Sequence, residues 1–97
     1  MSNQCFWVYI LNCSNQTYYT GYTDNLEKRY HQHCSGKGSK YTRSFKPTSI
    51  AQSWEIEGDK AKAMYFERKI KKLTKKQKEV LIHHHHLLFI DENSTLI

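Results

Sequence analysis

Phe6-Trp7-Val8-Tyr9-Ile10-Leu11 is the stretch that decides the fold. It is apolar at every position and rich in β-branched and aromatic residues. That is the pattern of a strand covered on both faces, so it reads as a buried central strand. Asn12 to Gln16 is polar and turn-forming. Thr17-Tyr18-Tyr19-Thr20-Gly21-Tyr22-Thr23 is again rich in strand formers. The two runs predict an antiparallel hairpin with a short loop.

Outward from the hairpin the period changes. Asp24 with Glu27 three residues on predicts a helix start, the carboxylate form of a capping box. Leu26, Tyr30 and Cys34 fall at i, i+4 and i+8 as a narrow apolar stripe, and Ser35-Gly36 ends the helix. Gly36 to Pro47 reads as a basic loop, with Lys37, Lys40, Arg43 and Lys46 around Tyr41 and Phe45. Ser49 to Glu57 alternates: Ile50, Gln52, Trp54 and Ile56 share one side, and Ser53, Glu55 and Glu57 the other. That is a half-exposed third strand. Gly58-Asp59 supplies a turn and an N-cap. Lys60 to Leu73 then reads as a long helix that buries Ala63, Met64, Phe66, Ile70 and Leu73. Thr74 with Gln77 is a second capping box, opening a helix that runs through Val80, Leu81 and Ile82 into His83–His86. Residues 1–86 are expected to form one domain, and 87–97 a C-terminal tail of unassigned structure.

Composition narrows the function. In 97 residues, 38% are hydrophobic and 13% aromatic, which excludes a disordered tail; four Gly and one Pro exclude a collagen-like chain. The longest apolar run, Phe6 to Leu11, is far short of the roughly 20 residues a spanning helix needs. With no basic start leading into a longer apolar stretch, the expected location is the cytoplasm, without a membrane partner. Lys plus Arg is 15 against nine Asp plus Glu, a net charge of +6. Nine of the basic residues lie between Lys60 and Lys78 and the other six between Lys28 and Lys46. Two basic blocks point to a polyanion partner. Cys5, Cys13 and Cys34 are odd in number and fit no zinc spacing. They read as free thiols acting as small buried hydrophobes, in keeping with a reducing compartment. Consecutive histidines at 83–86 point in different directions, so they read as an exposed run with adventitious metal affinity and no catalytic role.

Three features exceed what packing needs. Glu67 sits among Ala63, Met64 and Ile70 on a helix face, where a carboxylate is expensive unless paired or bound to a metal. Helix geometry alone leaves a rim carboxylate or a lysine-paired one equally open. Arg29 and His33, at i and i+4, present a guanidinium and an imidazole to one place, an arrangement useful in phosphodiester chemistry. Tyrosines 9, 18, 19 and 22 crowd the hairpin, and a phenol can hold a water or accept its proton. Cross-strand packing alone would also explain them.

The order of these residues resembles the GIY-YIG nuclease domain. Val8-Tyr9-Ile10 stands as the first motif and Tyr19-Thr20-Gly21 as the second, with Val8 in place of Gly and Thr20 in place of Ile. Ser35-Gly36-Lys37-Gly38-Ser39-Lys40-Tyr41-Thr42-Arg43 and Glu67-Arg68-Lys69-Ile70-Lys71-Lys72-Leu73 look like the small stand-alone bacterial members, the YhbQ/YazA type. The resemblance spans roughly residues 6–82. It implies an α+β fold, a small three-stranded antiparallel sheet flanked by helices, in agreement with the elements read above.

It also implies metal-dependent cleavage of DNA phosphodiesters. Carried over by position, Glu67 would hold one Mg²⁺ or Mn²⁺ and Arg29 would stabilise charge on the phosphate. Tyr9 would be general base or water-positioner, supported by Tyr19, and His33 would assist proton transfer. An unassisted phenol near pKa 10 is a poor base at neutral pH, so Arg29 and the metal are expected to lower it. Lys37, Lys40, Arg43, Lys46, Lys69 and Lys72 would contact phosphates, and Tyr41 would stack on an unpaired base. Without an added recognition domain, selectivity is expected for DNA structure, single-stranded or branched, or from a protein partner, in repair or recombination. A non-catalytic DNA- or RNA-binding module that kept the fold is the alternative, served by the same charge.

Overall fold

The computed structural model describes residues 5–90. The apolar run lies inside β1 (Cys5–Cys13), which pairs antiparallel with β2 (Tyr18–Thr23) on one side and β3 (Pro47–Glu57) on the other. This central position explains why β1 alternates so little. Val8 and Ile10 point to one face, Tyr9 and Leu11 to the other, and none is more than 1% exposed.

A bulge corrects one expectation. Ile10 pairs with Gln52, but Leu11 pairs with Ile50, so Ala51 is an extra residue in β3. One inserted residue inverts the parity of the strand. Ile50 therefore leaves the face of Trp54 and Ile56 and is 36% exposed, whereas those two are buried.

The first helix, α1 (Leu26–Cys34), is capped by Asn25 rather than Asp24: the Asn25 side chain accepts from the Lys28 amide at 3.1 Å. Its Leu26–Tyr30–Cys34 stripe is only half-buried, and its one fully buried side chain is His33. Gly36, at φ +82, turns the chain after the Ser35 C-cap. The expected basic loop contains a short helix, α2 (Lys40–Ser44), capped by Ser39. Asp59 caps α3 (Lys60–Lys71), and Thr74 and Gln77 form the capping box of α4 (Lys75–His83), both as read from the sequence.

The sheet is covered on both faces. Helices α3 and α4 close over Val8, Ile10, Trp54 and Ile56 with Ala63, Ile70 and Leu81, while α1 and α2 cover the Tyr9 face. The stretch read as a tail joins the first layer. A 3-10 turn at His85–Phe89 buries Leu88, 1% exposed, in the core. The histidine run is not wholly solvated either. The His85 ring stacks on Trp54 at 5.4 Å, and its carbonyl accepts from Trp54 Nε1 at 2.7 Å. Residues 91–97, the remainder of the expected tail, lie outside the described residues. All three cysteines are free; Cys13 is buried, whereas Cys5 and Cys34 are half-buried.

Two stability predictions follow from this packing. Leu88→Ala should cost about 2–4 kcal/mol in urea unfolding, as for other buried leucines; a cost below ~1 kcal/mol would detach the turn from the core. The buried Thr20 hydroxyl has no hydrogen-bond partner among the described residues. Thr20→Val should therefore stabilise the fold by about 1 kcal/mol, and a loss of stability would mean that the hydroxyl has a partner after all.

Candidate active site

Tyr9 stands directly opposite Gly21 in the hairpin. A Cβ at position 21 would lie 2.5 Å from Tyr9 Oη, so the phenol occupies the space a side chain would need. The ring thereby reaches across β2, the edge strand, into a cavity of about 550 Å³. Residues from both faces of the sheet line that cavity. Tyr9 and Tyr19 come from the hairpin, Arg29 from α1, and Glu67 from α3; Asp24 and Lys60 complete the polar wall.

Four of the five expected catalytic residues therefore share one cavity, and the fifth stands behind it. The His33 ring is 0% exposed. Its Nε2 is 2.9 Å from Tyr9 Oη, and its Nδ1 is 2.6 Å from Thr42 Oγ1. Tyr19 packs edge-on against the same imidazole, with ring centroids 5.2 Å apart. Arg29 is half-buried and its Nη1 donates to Gln32 Oε1 at 3.0 Å. Glu67 pairs with Lys71 one turn on at 3.4 Å, with 15% of its side chain exposed. It is thus lysine-paired and still faces the cavity.

Burial governs the protonation states. It pushes the Tyr9 phenol up to about 12, assisted by Tyr19; Arg29 lowers it but does not prevail. Burial, with Arg29 adding to it, brings His33 down to about 4. At neutral pH both groups are uncharged, and their hydrogen bond joins a phenol to a neutral imidazole.

Among the described residues no three His, Cys, Asp or Glu side chains converge as a metal cage. Glu67 on an open cavity still suits a hard divalent cation that keeps most of its water ligands and takes the rest from substrate phosphate.

The expected nucleic-acid residues divide. Tyr41, 36% exposed, stacks on Tyr19 at 6.0 Å and 19°, and its hydroxyl bonds Thr17. Lys37, Lys40, Arg43 and Lys46 are exposed on and around α2, beside this stack, and Lys72 is exposed at the end of α3. Lys69 stands apart from these: its ammonium donates to the Leu88 and Ile90 carbonyls at 3.2 and 3.4 Å and so ties down the C-terminal turn. Sequence reasoning missed Thr42 and Gly38, and read Lys60 only as the start of a basic block. The Ser39–Thr42 spacing was a usable signal, since it marks a side-chain-capped helix start inside a segment rich in charge.

Residues 5–80 match the GIY-YIG catalytic domain. The chain belongs to the GIY-YIG family. Relatives include a UPF0213 protein of Bacillus cereus, 45% identical over 78 residues, covering 80% of this chain and 78% of that one. Another, from Halobacterium salinarum, is 42% identical over 74 residues, covering 76% and 95%. The solution NMR structure of UPF0213 protein BH0048 from Bacillus halodurans has the same α+β architecture, at a TM-score of 0.52 and 39% identity, covering 81% of this chain and 83% of that one. GIY-YIG membership implies a nuclease-like activity on nucleic acid, of the kind that ordinarily uses a divalent metal. Among the described residues no helix is long and apolar enough to cross a membrane.

The low His33 value sets a pH dependence for this GIY-YIG fold. Between its ordinary 6.5 and the folded value of about 4, the unfolded chain binds a proton that the folded chain does not. Stability is full above 6.5 and should fall as pH drops through that window, by at most about 3 kcal/mol. Urea midpoints of His33→Gln should be flatter over the same range. An equally steep fall in the variant would assign the acid sensitivity to other groups.

Proposed function

We propose that this chain is a divalent-metal-dependent DNA endonuclease, a YhbQ/YazA-type member of its family acting in the cytoplasm on single-stranded or branched DNA. The observation that carries this reading is the convergence of Tyr9, Arg29 and Glu67 on one cavity, with Tyr9 hydrogen-bonded to a buried neutral His33. Glu67 would hold one Mg²⁺ or Mn²⁺, which when bound supplies charge neutralisation at the phosphate. Arg29 binds the non-bridging oxygens and stabilises the charge that grows on them.

A phenol at about 12 does not serve as a free phenolate at neutral pH. Tyr9 instead passes its proton to His33 Nε2 while its oxygen takes the proton of the attacking water. The water oxygen bonds to phosphorus as the P–O bond to the leaving strand breaks; the leaving oxygen takes a proton from solvent, and His33 returns its proton to solvent. No free phenolate forms, and Tyr19 packs against the His33 ring that takes the proton.

Substrate choice follows from the surface beside the cavity. Tyr41 on Tyr19 offers an aromatic face to an unpaired base, and the lysines and Arg43 around α2 take phosphates without reading sequence. A protein partner would add whatever further specificity repair or recombination requires.

The test is cleavage of labelled single-stranded, duplex and branched DNA with Mg²⁺ or Mn²⁺. Glu67→Ala and Tyr9→Phe should each lower the rate by about 100-fold or more while the folded variants still bind DNA. Equal DNA binding with no cleavage by the parent in either metal would leave a pure binding module, and tighter binding to structured RNA would move the substrate.

A further inference from the structure

We propose that Thr42, in the first turn of α2, is a positioning residue that fixes His33 as the Nδ1–H tautomer, leaving Nε2 as the acceptor of the Tyr9 hydroxyl proton. The inference deepens the nuclease reading and rests on it for its kinetic consequence, but the tautomer itself is a property of the folded chain.

A neutral imidazole carries one proton and two nitrogens, and the partner of one decides the role of the other. Here each nitrogen faces a hydroxyl, Thr42 Oγ1 at 2.6 Å and Tyr9 Oη at 2.9 Å. Both hydroxyls can donate or accept, so the ring alone leaves two arrangements. The surroundings of Thr42 choose between them. Its Oγ1 is 3.2 Å from the Ser39 carbonyl, which can only accept, and 3.1 Å from the Ser39 hydroxyl. The Ser39 hydroxyl oxygen accepts in turn from the Thr42 amide at 3.2 Å.

If Thr42 donates to the Ser39 carbonyl, its two lone pairs accept from His33 Nδ1–H and from Ser39 Oγ–H. Every donor and acceptor of the cluster is then used. If Thr42 donates to Nδ1 instead, the Ser39 carbonyl keeps only the Arg43 amide at 3.1 Å, and Nε2–H must donate to Tyr9, whose own hydroxyl proton then has no acceptor among the described residues. Tyr9 is 1% exposed, so water does not readily supply one. A buried polar cluster settles in the arrangement that satisfies more of its groups. That arrangement puts the proton on Nδ1 and points the Tyr9 O–H at Nε2.

Gly38 keeps the geometry tight. A Cβ there would fall 2.3 Å from Nδ1, so the backbone before α2 packs against the imidazole edge and leaves no room for another side chain. The device has a chemical consequence. When Nε2 takes the Tyr9 proton the ring becomes cationic, and the Nδ1–H bond to Thr42 becomes charge-assisted. A hydroxyl in this position orients the ring without holding it protonated beforehand, as a carboxylate would. The Gly38–Thr42 segment is thereby assigned a role in the site, although none of these residues lines the cavity.

Long-range ¹H–¹⁵N NMR of the full chain reads the tautomer directly, with the His33 signals assigned by their loss in His33→Gln. The parent should show a protonated Nδ1 and an unprotonated Nε2 at neutral pH, and Thr42→Ser should retain that pattern. Thr42→Val should lose it, with Nε2–H becoming populated. In DNA cleavage, Thr42→Val should lower kcat by about 10–100-fold with KM changed less than about twofold, and Thr42→Ser should restore it. Ser39→Ala is the milder second variant; it keeps the Ser39 carbonyl and should retain Nδ1–H. A parent ring protonated at Nε2 overturns the proposal whatever the activity. So does a Thr42→Val protein that keeps both the Nδ1–H form and the parent kcat. A parent that shows Nδ1–H but cuts no DNA sustains the tautomer assignment and removes the nuclease reading instead.

Discussion

Tyr9 is a full-sized phenol on a central strand, and the residue directly across from it is a glycine. The site depends on this pairing of something with nothing. Position 21 does not need glycine for its backbone, because the positive-φ glycines among the described residues are Gly36 and Gly58. It needs glycine for space, since any Cβ would meet the phenol oxygen at 2.5 Å. With that space, the ring crosses the edge strand, reaches the cavity, and still touches His33 behind the sheet. A side chain at 21 would displace the ring and separate the cavity from His33. The two hairpin motifs are thus one structural unit, in which the second glycine makes room for the first tyrosine.

The competition between burial and charge then sets what the tyrosine can do. Arg29 pulls the phenol down, but burial leaves it near 12. A phenolate with its proton released at pH 7 would lie about 7 kcal/mol uphill. His33, near 4, does not hold a proton at that pH either. Neither ion is favoured by itself, so a relay through the Tyr9–His33 hydrogen bond requires that the Tyr9 oxygen gain the water proton as it loses its own.

Much of this was legible in the sequence wherever one local rule dominated. The unbroken apolar run at 6–11 could only be a strand covered on both faces, and the Thr74–Gln77 box marked its helix start to the residue. Errors came where two rules stood one residue apart or where tertiary contacts decided. Asp24 and Asn25 are both good caps, and only the helix register shows that the Asn25 side chain reaches the Lys28 amide. Ile50 obeys the alternation of its strand until one extra residue at Ala51 reverses it. The α2 helix has five residues and no apolar stripe, so periodicity had nothing to detect. Leu88 follows a histidine run and precedes an acidic end, and its burial depends on a core built from distant segments. In the site, the residue types and their order were visible. The burial of His33 was not, because an Arg–His pair at i and i+4 is ordinarily a surface feature.

The Lys71–Glu67 ion pair bears on whether Glu67 is free to bind a cation at all. At 3.4 Å, on the i,i+4 spacing and with the lysine 52% exposed, it belongs with surface pairs worth about 0.3–0.5 kcal/mol. A divalent ion carries twice the charge of an ammonium and is not tethered to one helix. On the proposed reading, coordination by a carboxylate backed by substrate phosphate would outweigh so small a contribution. Lys71 would therefore neutralise Glu67 and yield to a bound cation. Its ammonium, on a flexible stem at the adjoining cleft lined by Tyr19 and Tyr41, would then be free to meet a nucleic-acid phosphate.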